Sequence, residues 1–204
     1  MTAKIAVVYY SSTGNVHQLA EAVAEGAEKA GAEVRLRRVP ELAPDAVVDS
    51  VPAWREHHDA TSHIEVAALD DLAWADGYAF GSPTRFGNIA SQLKQFIDTT
   101  SGLWSQGVFA DKPATGFVSA GSMHGGNEST LLALYNTLHH WGSLIVPVGY
   151  TDPVVFSANG NPYGTAHASE AGAPGANILD AARYQGTRLA TITQRLIAGS
   201  AAAA

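Results

Sequence analysis

Apolar residues cluster into four short runs along the chain, and a fifth run mixes apolar and charged residues. The four apolar runs read IAVVYY (residues 5–10), YAFGS (78–82), ATGFVSA (114–120) and SLIVPVGY (143–150), and the mixed run reads AEVRLRRV (32–39). Short runs of this kind are typical of strands that are buried on both faces, as in a parallel sheet covered by helices. The pattern therefore predicts five strands.

The segments between these runs repeat apolar residues with the period of an α-helix. From Val16 to Ala27 apolar residues recur at steps of three and four, while Glu21, Glu25 and Glu28 occupy the opposite face. Similar patterns cover IASQLKQFIDTT (89–100), ESTLLALYNTLHHW (128–141) and residues 178–197. Because strands and helices alternate, we expect an α/β fold: a doubly wound, five-stranded parallel sheet with helices on both faces.

Two segments interrupt this alternation. Residues 41–68 contain Trp54, His57, His58 and His63 without a clean period, and we interpret them as an insertion after the second strand. These histidines lack the spacing and the nearby carboxylates of a metal site, so no metal is predicted. Residues 151–177 are too long for an ordinary connection, which predicts a functional or interface loop. No separate linker is evident, and we expect one domain over residues 1–204.

Composition and charge narrow the range of partners. The chain has 204 residues, of which 46% are hydrophobic, enough for one sizeable core. Nineteen acidic residues against 12 basic ones give a net charge of -7, which disfavours nucleic acid and anionic membranes as partners. Cysteine is absent, which excludes disulfides and thiolate chemistry. No signal peptide or membrane span is apparent, so we expect a cytoplasmic protein.

The turn after the first strand has the composition of a phosphate-binding loop. It consists of Ser11, Ser12, Thr13, Gly14 and Asn15, and Val16 follows as the first apolar residue of the helical pattern. A helix start offers unpaired N–H groups and the positive end of the helix dipole, and the hydroxyls add donors. The lysine of a Walker A loop and the GxGxxG motif are both missing, which favours a phosphate monoester. The alternative is that these side chains only cap the helix.

Two further strand ends carry polar, glycine-containing loops. After the third strand, PTRFGN offers the backbone N–H groups of Thr84, Arg85, Phe86 and Gly87 to the edge of a planar ring, and Asn88 is expected to cap the next helix. Arg85 would be a cation near a ring that becomes anionic on reduction, or else one member of a surface ion pair. For Phe86, the residue type alone favours a place in the core over one at the ring.

The loop after the fourth strand is the third polar loop at this edge. It contains Ser119, Ala120, Gly121, Ser122, Met123 and His124, with further glycines at 125 and 126. Its glycines permit close backbone approach and its hydroxyls can hydrogen-bond a ligand. Ligands of open parallel sheets bind outside the carboxyl ends of the strands, so the three loops predict one shared site.

These motifs resemble known flavoproteins. SSTGN after the first strand is similar to flavodoxin, while GSPTRFGN, SGLW, PVGY, NPYG and ARYQG together resemble the WrbA family of FMN-dependent NAD(P)H:quinone oxidoreductases along nearly the whole chain. The resemblance implies a flavodoxin-like fold, FMN as cofactor, NAD(P)H as co-substrate, a homotetramer, and two-electron reduction of quinones by ping-pong hydride transfer.

Carried over by position, the resemblance also assigns residues to roles. It implies that the FMN phosphate meets residues 11–16, that the isoalloxazine ring meets Thr84, Arg85 and Phe86, and that residues 119–124 supply further contacts. It places His140 at the FMN as a catalytic residue that hydrogen-bonds a quinone oxygen or donates a proton, and Trp104 against the substrate. Because His139 and His140 are adjacent on a helix, only one of them can face the site.

The sequence departs from the family at three places. Residue 13 is a threonine where relatives often carry an aromatic residue, the third loop contains Met123 and His124, and residues 165–175 diverge after NPYG. Two other functions stay open at this point. One is a one-electron flavodoxin carrier, and the other is a protein-binding partner of a repressor, for which this acidic sequence displays no evident patch.

Overall fold

The computed structural model describes residues 2–203, with side chains to residue 201, and in this range the chain forms a seven-stranded sheet flanked by helices. The strands are β1 (Lys4–Tyr9), β2 (Glu33–Arg38), β3 (Gly77–Arg85), β4 (Asn88–Ile89), β5 (Pro113–Ala120), β6 (Leu144–Ile145) and β7 (Ala166–Ala168). Parallel strands follow the order β2-β1-β3-β5-β6, while β4 pairs with β3 and β7 pairs with β5. The expected doubly wound parallel sheet is confirmed.

The helices lie on both faces of the sheet, as predicted. They are α1 (Asn15–Lys29), α2 (Asp45–Asp49), α3 (Pro52–Ala60), α4 (Leu69–Trp74), α5 (Ser91–Asp98), α6 (Ser101–Ser105), α7 (Asn127–His140), α8 (Pro153–Ser157) and α9 (Ala176–Ala203). Alternate residues of β1 divide between two cores. Val8 packs in the cluster that includes α5 and α7, and Val7 packs in the cluster that includes α1 and α9.

Helices α1 and α9 approach each other closely through glycine. A Cβ added at Gly26 would lie 1.9 Å from the carbonyl oxygen of Arg183, and one added at Gly186 would lie 1.9 Å from that of Val23. Each glycine therefore faces the backbone of the opposite helix. The two helices can approach this closely because glycine has no Cβ, and no other residue fits at these two positions.

The prediction of one continuous fifth strand over 143–150 is wrong. Only Leu144–Ile145 pairs with β5 in that run, and Pro147 follows, which has no N–H group for a strand ladder. The chain then leaves the sheet and returns as β7. Ala166 of β7 pairs with Val118 of β5, the strand that β6 also pairs with. The long loop predicted over 151–177 therefore contains α8, the second half of the fifth strand and a short 3-10 helix, Ser169–Ala171.

Side chains hydrogen-bond the part of β5 that lies between the two half-strands. Gln185 of α9 donates to the Thr115 hydroxyl (2.8 Å) and to the Gly116 carbonyl (2.7 Å), and accepts from the Thr165 N–H group (2.8 Å). The Tyr135 hydroxyl accepts from the Gly116 N–H group (3.3 Å). On the side of β5 away from β3, the N–H and carbonyl groups of Gly116 are thus hydrogen-bonded by side chains, because β6 and β7 leave this position unpaired.

The segment 41–68 is folded against the end of β1. It contains α2 and α3, and Val66 forms a parallel bridge with Arg38 at the end of β2. The Glu41 carboxylate accepts hydrogen bonds from the Tyr10 hydroxyl (2.6 Å), Trp54 Nε1 (3.0 Å) and Gln92 Nε2 (2.7 Å). One carboxylate therefore joins the sheet, α3 and α5.

Candidate functional site

A polar cleft lies where the carboxyl ends of β1, β3 and β5 meet. Register brings these ends together, since Tyr9 pairs with Gly81 and Pro83 pairs with Ser119. The cleft has a volume of about 180 Å³, and its lining consists of Ser11, Ser12, Thr13, Asn15, Val16, Pro83, Thr84, Arg85, Ser119, Ala120, Gly121 and Ser169. The three loops singled out in the sequence are therefore neighbours in space.

The first loop forms a tight turn at the start of α1. Gly14 is the N-cap residue, with φ 100° and ψ -21°, a left-handed conformation that favours glycine. Its N–H group donates to the Ser11 hydroxyl (3.1 Å), while no side chain caps the helix. The alternative that the loop's side chains only cap α1 is thus not what the structure shows. The N–H groups of the first turn have no partner within the helix, which suits an anion.

The second loop is a hairpin, which the sequence did not predict. Phe86 (φ 52°) and Gly87 (φ 77°) form its two-residue turn, and Arg85 pairs antiparallel with Asn88. Two consecutive residues with positive φ match the twist of a hairpin. The prediction that Asn88 caps the next helix is wrong, because Asn88 lies in β4 and the N-cap of α5 is Ala90.

Residues of the hairpin differ in where they lie. Phe86 is fully exposed at the tip, so it is not a core residue, and neither Phe86 nor Gly87 lines the cleft. Arg85 turns back toward the first loop. Its Nη1 donates to the Thr84 carbonyl (3.0 Å) and its Nη2 donates to the Ser12 hydroxyl (3.4 Å). The guanidinium therefore supplies a positive charge beside the phosphate-type turn.

The third loop is held by Glu170, a residue of the 3-10 helix that follows β7. Glu170 Oε1 accepts from the Met123 N–H group (2.9 Å), and the Glu170 N–H group donates to the Gly121 carbonyl (2.9 Å). Ser122, Met123 and His124 are exposed and lie beyond the cleft lining. Sequence reasoning missed both Glu170 and the cleft residue Ser169. The only signal was the unusual length of the segment after residue 151.

Trp104 and His140 lie together, away from this cleft. Trp104 Nε1 donates to the His140 carbonyl (3.3 Å), their ring centroids are 5.5 Å apart, and both line a separate groove of about 400 Å³. The hydroxyl of Thr130 lies 3.1 Å from that of Thr84 on the cleft wall. His140 comes ten residues later on α7, about 15 Å further along the helix. Within one chain the structure does not bring these two residues to the cleft.

Comparison with known proteins assigns the chain to a family. The family model of NADPH-dependent FMN reductases matches residues 3–151, and the chain belongs to this family. It is 43% identical over 194 residues to an NAD(P)H dehydrogenase (quinone) from Deinococcus radiodurans, covering 95% of this chain and 97% of that one. It is 44% identical over 207 residues to an NAD(P)H dehydrogenase (quinone) from Geotalea daltonii, covering 95% and 98%.

A solved structure gives the same assignment. A flavodoxin, WrbA-like protein from Agrobacterium tumefaciens superposes with a TM-score of 0.68 at 27% identity, covering 95% of this chain and 99% of that one. An archaeal flavodoxin superposes with a TM-score of 0.61 at 19% identity, which supports the fold alone. The flavodoxin-like fold and the resemblance to WrbA proteins are both confirmed.

Proposed function

We propose that this chain is an FMN-dependent NAD(P)H:quinone oxidoreductase. The observation that carries the proposal is the cleft itself, in which a helix start, serine and threonine hydroxyls and one guanidinium converge at the end of a parallel sheet. The family and the two quinone dehydrogenases support the same chemistry. When bound, FMN would accept a hydride from NAD(P)H and pass two electrons to a quinone, with the two substrates binding in turn.

The cleft residues fit a flavin mononucleotide. The first turn of α1 and the hydroxyls of Ser11, Ser12 and Thr13 would hold the phosphate, which needs several donors and tolerates no acidic neighbour. Gly121 leaves room for a flat ring, since a Cβ added there meets no heavy atom within 4 Å. Pro83 and Thr84 would form the opposite wall. Arg85 would balance the negative charge of the phosphate or of the reduced ring.

We further propose that Trp104 and His140 serve the site of a neighbouring subunit. They form an exposed pair at the far end of α7, and Trp104 keeps 46% of its surface exposed. A homotetramer could place this pair over another chain's cleft, where the indole would form a flat wall and the imidazole would hydrogen-bond a quinone oxygen.

One domain over residues 1–204, the tetramer and a cytoplasmic location stay predictions. Within residues 2–203 no helix is long and apolar enough to cross a membrane.

A blocked cleft tests the proposed cofactor site. Gly121 lines the cleft, and in Gly121→Trp the new side chain would project into open space there, so FMN affinity should fall at least about a hundredfold while the fold persists. Gly199→Trp is the matched control, because a Cβ at this α9 glycine also meets no heavy atom within 4 Å but lies far along the chain from the loops. The wild-type apoprotein is titrated with FMN, reduced anaerobically with NADPH and reoxidised with benzoquinone.

The outcomes separate the candidate functions. FMN binding, bleaching by NADPH and recovery with benzoquinone support the oxidoreductase. Binding without bleaching would favour the flavodoxin-type carrier, and equal FMN affinity of the two tryptophan variants would refute the cleft as the site. Mixing subunits of Gly121→Trp with subunits of His140→Ala tests the shared site. Hybrid oligomers should regain activity that neither parent has, because each pairing can combine one intact cleft with one intact His140.

A further inference from the structure

A cluster of aromatic and imidazole rings supports the phosphate-type turn from outside the cleft. The Tyr9 hydroxyl lies 2.7 Å from His17 Nδ1, and the centroids of the His17 and His57 rings lie 5.4 Å apart. A Cβ added at Gly14 would lie 3.5 Å from His57 Nδ1 and 4.0 Å from its Cγ. The His57 ring of α3 therefore faces Gly14 from the side on which a side chain would project, at a distance that leaves room for one methyl group between them.

The turn needs support because of its residue types. Glycine has the widest conformational freedom of all residues, so a left-handed Gly14 is costly to hold in place without contacts. Within the loop, the hydrogen bond from the Gly14 N–H group to the Ser11 hydroxyl fixes one side. His57 covers another side, and it belongs to the inserted segment instead of the sheet or α1.

The imidazole acts here as an uncharged group. Burial, followed by the proximity of His17 and His58, lowers the pKa of His57 to about 4. Burial also lowers the pKa of His17. Both rings are therefore neutral near pH 7, so His57 bounds the space beside Gly14 as an uncharged ring and not as a cation that attracts the phosphate.

The segment that carries His57 is itself fixed in place. Trp54, three residues earlier on the same helix, donates to the Glu41 carboxylate, which also accepts from Tyr10, the residue immediately before the turn. Burial and the bond to Glu41 raise the pKa of Tyr10, so its hydroxyl stays a donor. Helix α3 and the turn are thus tied to the same end of β1, which limits movement of His57 relative to Gly14.

We propose that His57 is a positioning residue that preorganises the phosphate-binding turn, so that the 41–68 insertion sets the preference for a phosphorylated flavin over riboflavin. The inference rests on the proposed FMN function. Without the ring, Gly14 would sample other conformations and would have to be ordered when the phosphate binds. The loss should fall on the phosphate alone, because the residues proposed to hold the flavin ring lie in other loops.

Dissociation constants for FMN and riboflavin test the proposal. His57→Ala should weaken FMN binding about tenfold, the cost of ordering roughly one more residue, while riboflavin affinity changes less than about twofold. His57→Gln, which refills part of the space with a neutral polar group, should recover most of the FMN affinity. His63→Ala is the matched control, since His63 is an exposed histidine of the same segment.

Each outcome decides one statement. Equal losses for FMN and riboflavin, or no loss in His57→Ala, would overturn the positioning role. If His57→Ala fails to fold, the ratio of the FMN and riboflavin affinities in His57→Ser, which also removes the ring, decides instead, and a ratio equal to that of the wild type overturns the proposal. Failure of the wild-type apoprotein to bind FMN would refute the proposed function itself, a separate result.

Discussion

Replacing Gly186 by alanine should loosen the packing of α9 on α1. The new Cβ would lie 1.9 Å from the Val23 carbonyl oxygen and 3.0 Å from the Ala27 nitrogen, and both are backbone atoms of α1. A backbone cannot rotate away as a flexible side chain can. To restore a separation of 3.0 Å from the carbonyl oxygen, the helices must move apart by about 1.1 Å, the difference between 3.0 and 1.9 Å.

The change in the free energy of unfolding of Gly186→Ala is the balance of a gain in helix propensity and a loss in packing. Alanine in place of glycine gains about 1 kcal/mol of helix propensity. An extra methyl group in a packed interior costs about 1–3 kcal/mol, and a gap of about 1 Å forfeits up to about half of the dispersion energy of the contacts along the helix pair. We expect a net loss of about 2 kcal/mol in the free energy of unfolding. Because α1 begins at the cleft, FMN affinity should fall as well.

Urea unfolding of the apoprotein measures the change. The midpoint should fall while the slope with urea stays the same, which is the signature of altered stability. Gly199→Ala in the same helix is the control, because its Cβ meets no heavy atom within 4 Å. That variant should be as stable as the wild type or up to about 1 kcal/mol more stable. Equal midpoints for the two variants would refute the close approach of α1 and α9.

Three other changes have defined outcomes. The folded pKa of His57, about 4, lies below its ordinary 6.5, so the unfolded state binds more protons between these values and stability falls as the pH drops through that window. Urea unfolding at pH 7 and at pH 4.5 measures how much of the free energy of unfolding is lost between the two. The loss should be smaller in His57→Gln than in the wild type by about 1–2 kcal/mol, after allowing for screening of a half-exposed ring. Arg85→Gln should weaken FMN binding about threefold to tenfold in titrations at low salt, and the difference should shrink at high salt because the guanidinium is exposed. Glu41→Gln should lower stability by about 1–2 kcal/mol in thermal unfolding, since an amide replaces the carboxylate that accepts from Tyr10 and Trp54; unchanged stability would contradict the central role of this carboxylate.

The spacing of apolar residues was sufficient to predict the helices and strands that bury a continuous face in the core. Helix α1 was predicted because its apolar positions recur on one face, and β1, β3 and β5 because the sheet is covered on both sides. The convergence of three loops followed from the rule that parallel strands present their carboxyl ends at one edge. These inferences need only local pattern and topology.

The missed features depend on contacts that no local pattern encodes. Strand β7 is the short sequence AHA, which has little intrinsic preference for strands, and its position is fixed by pairing with β5. The sequence did not predict the hairpin at Phe86 and Gly87, because phenylalanine rarely adopts the positive φ that its turn requires. The placement of His57 beside Gly14 brings together residues 43 positions apart (57 - 14) in two different elements, which sequence spacing cannot show.

The divided fifth strand gives the chain a place where its length can change. Leu144–Ile145 and Ala166–Ala168 each pair with β5 on their own, and Gln185 completes the hydrogen bonds of Gly116 between them. The connection between these half-strands can therefore gain or lose residues at a small entropic cost, without shifting Ser169 at the cleft. Evolution could reshape this surface while the ligand-binding edge of the sheet stays constant.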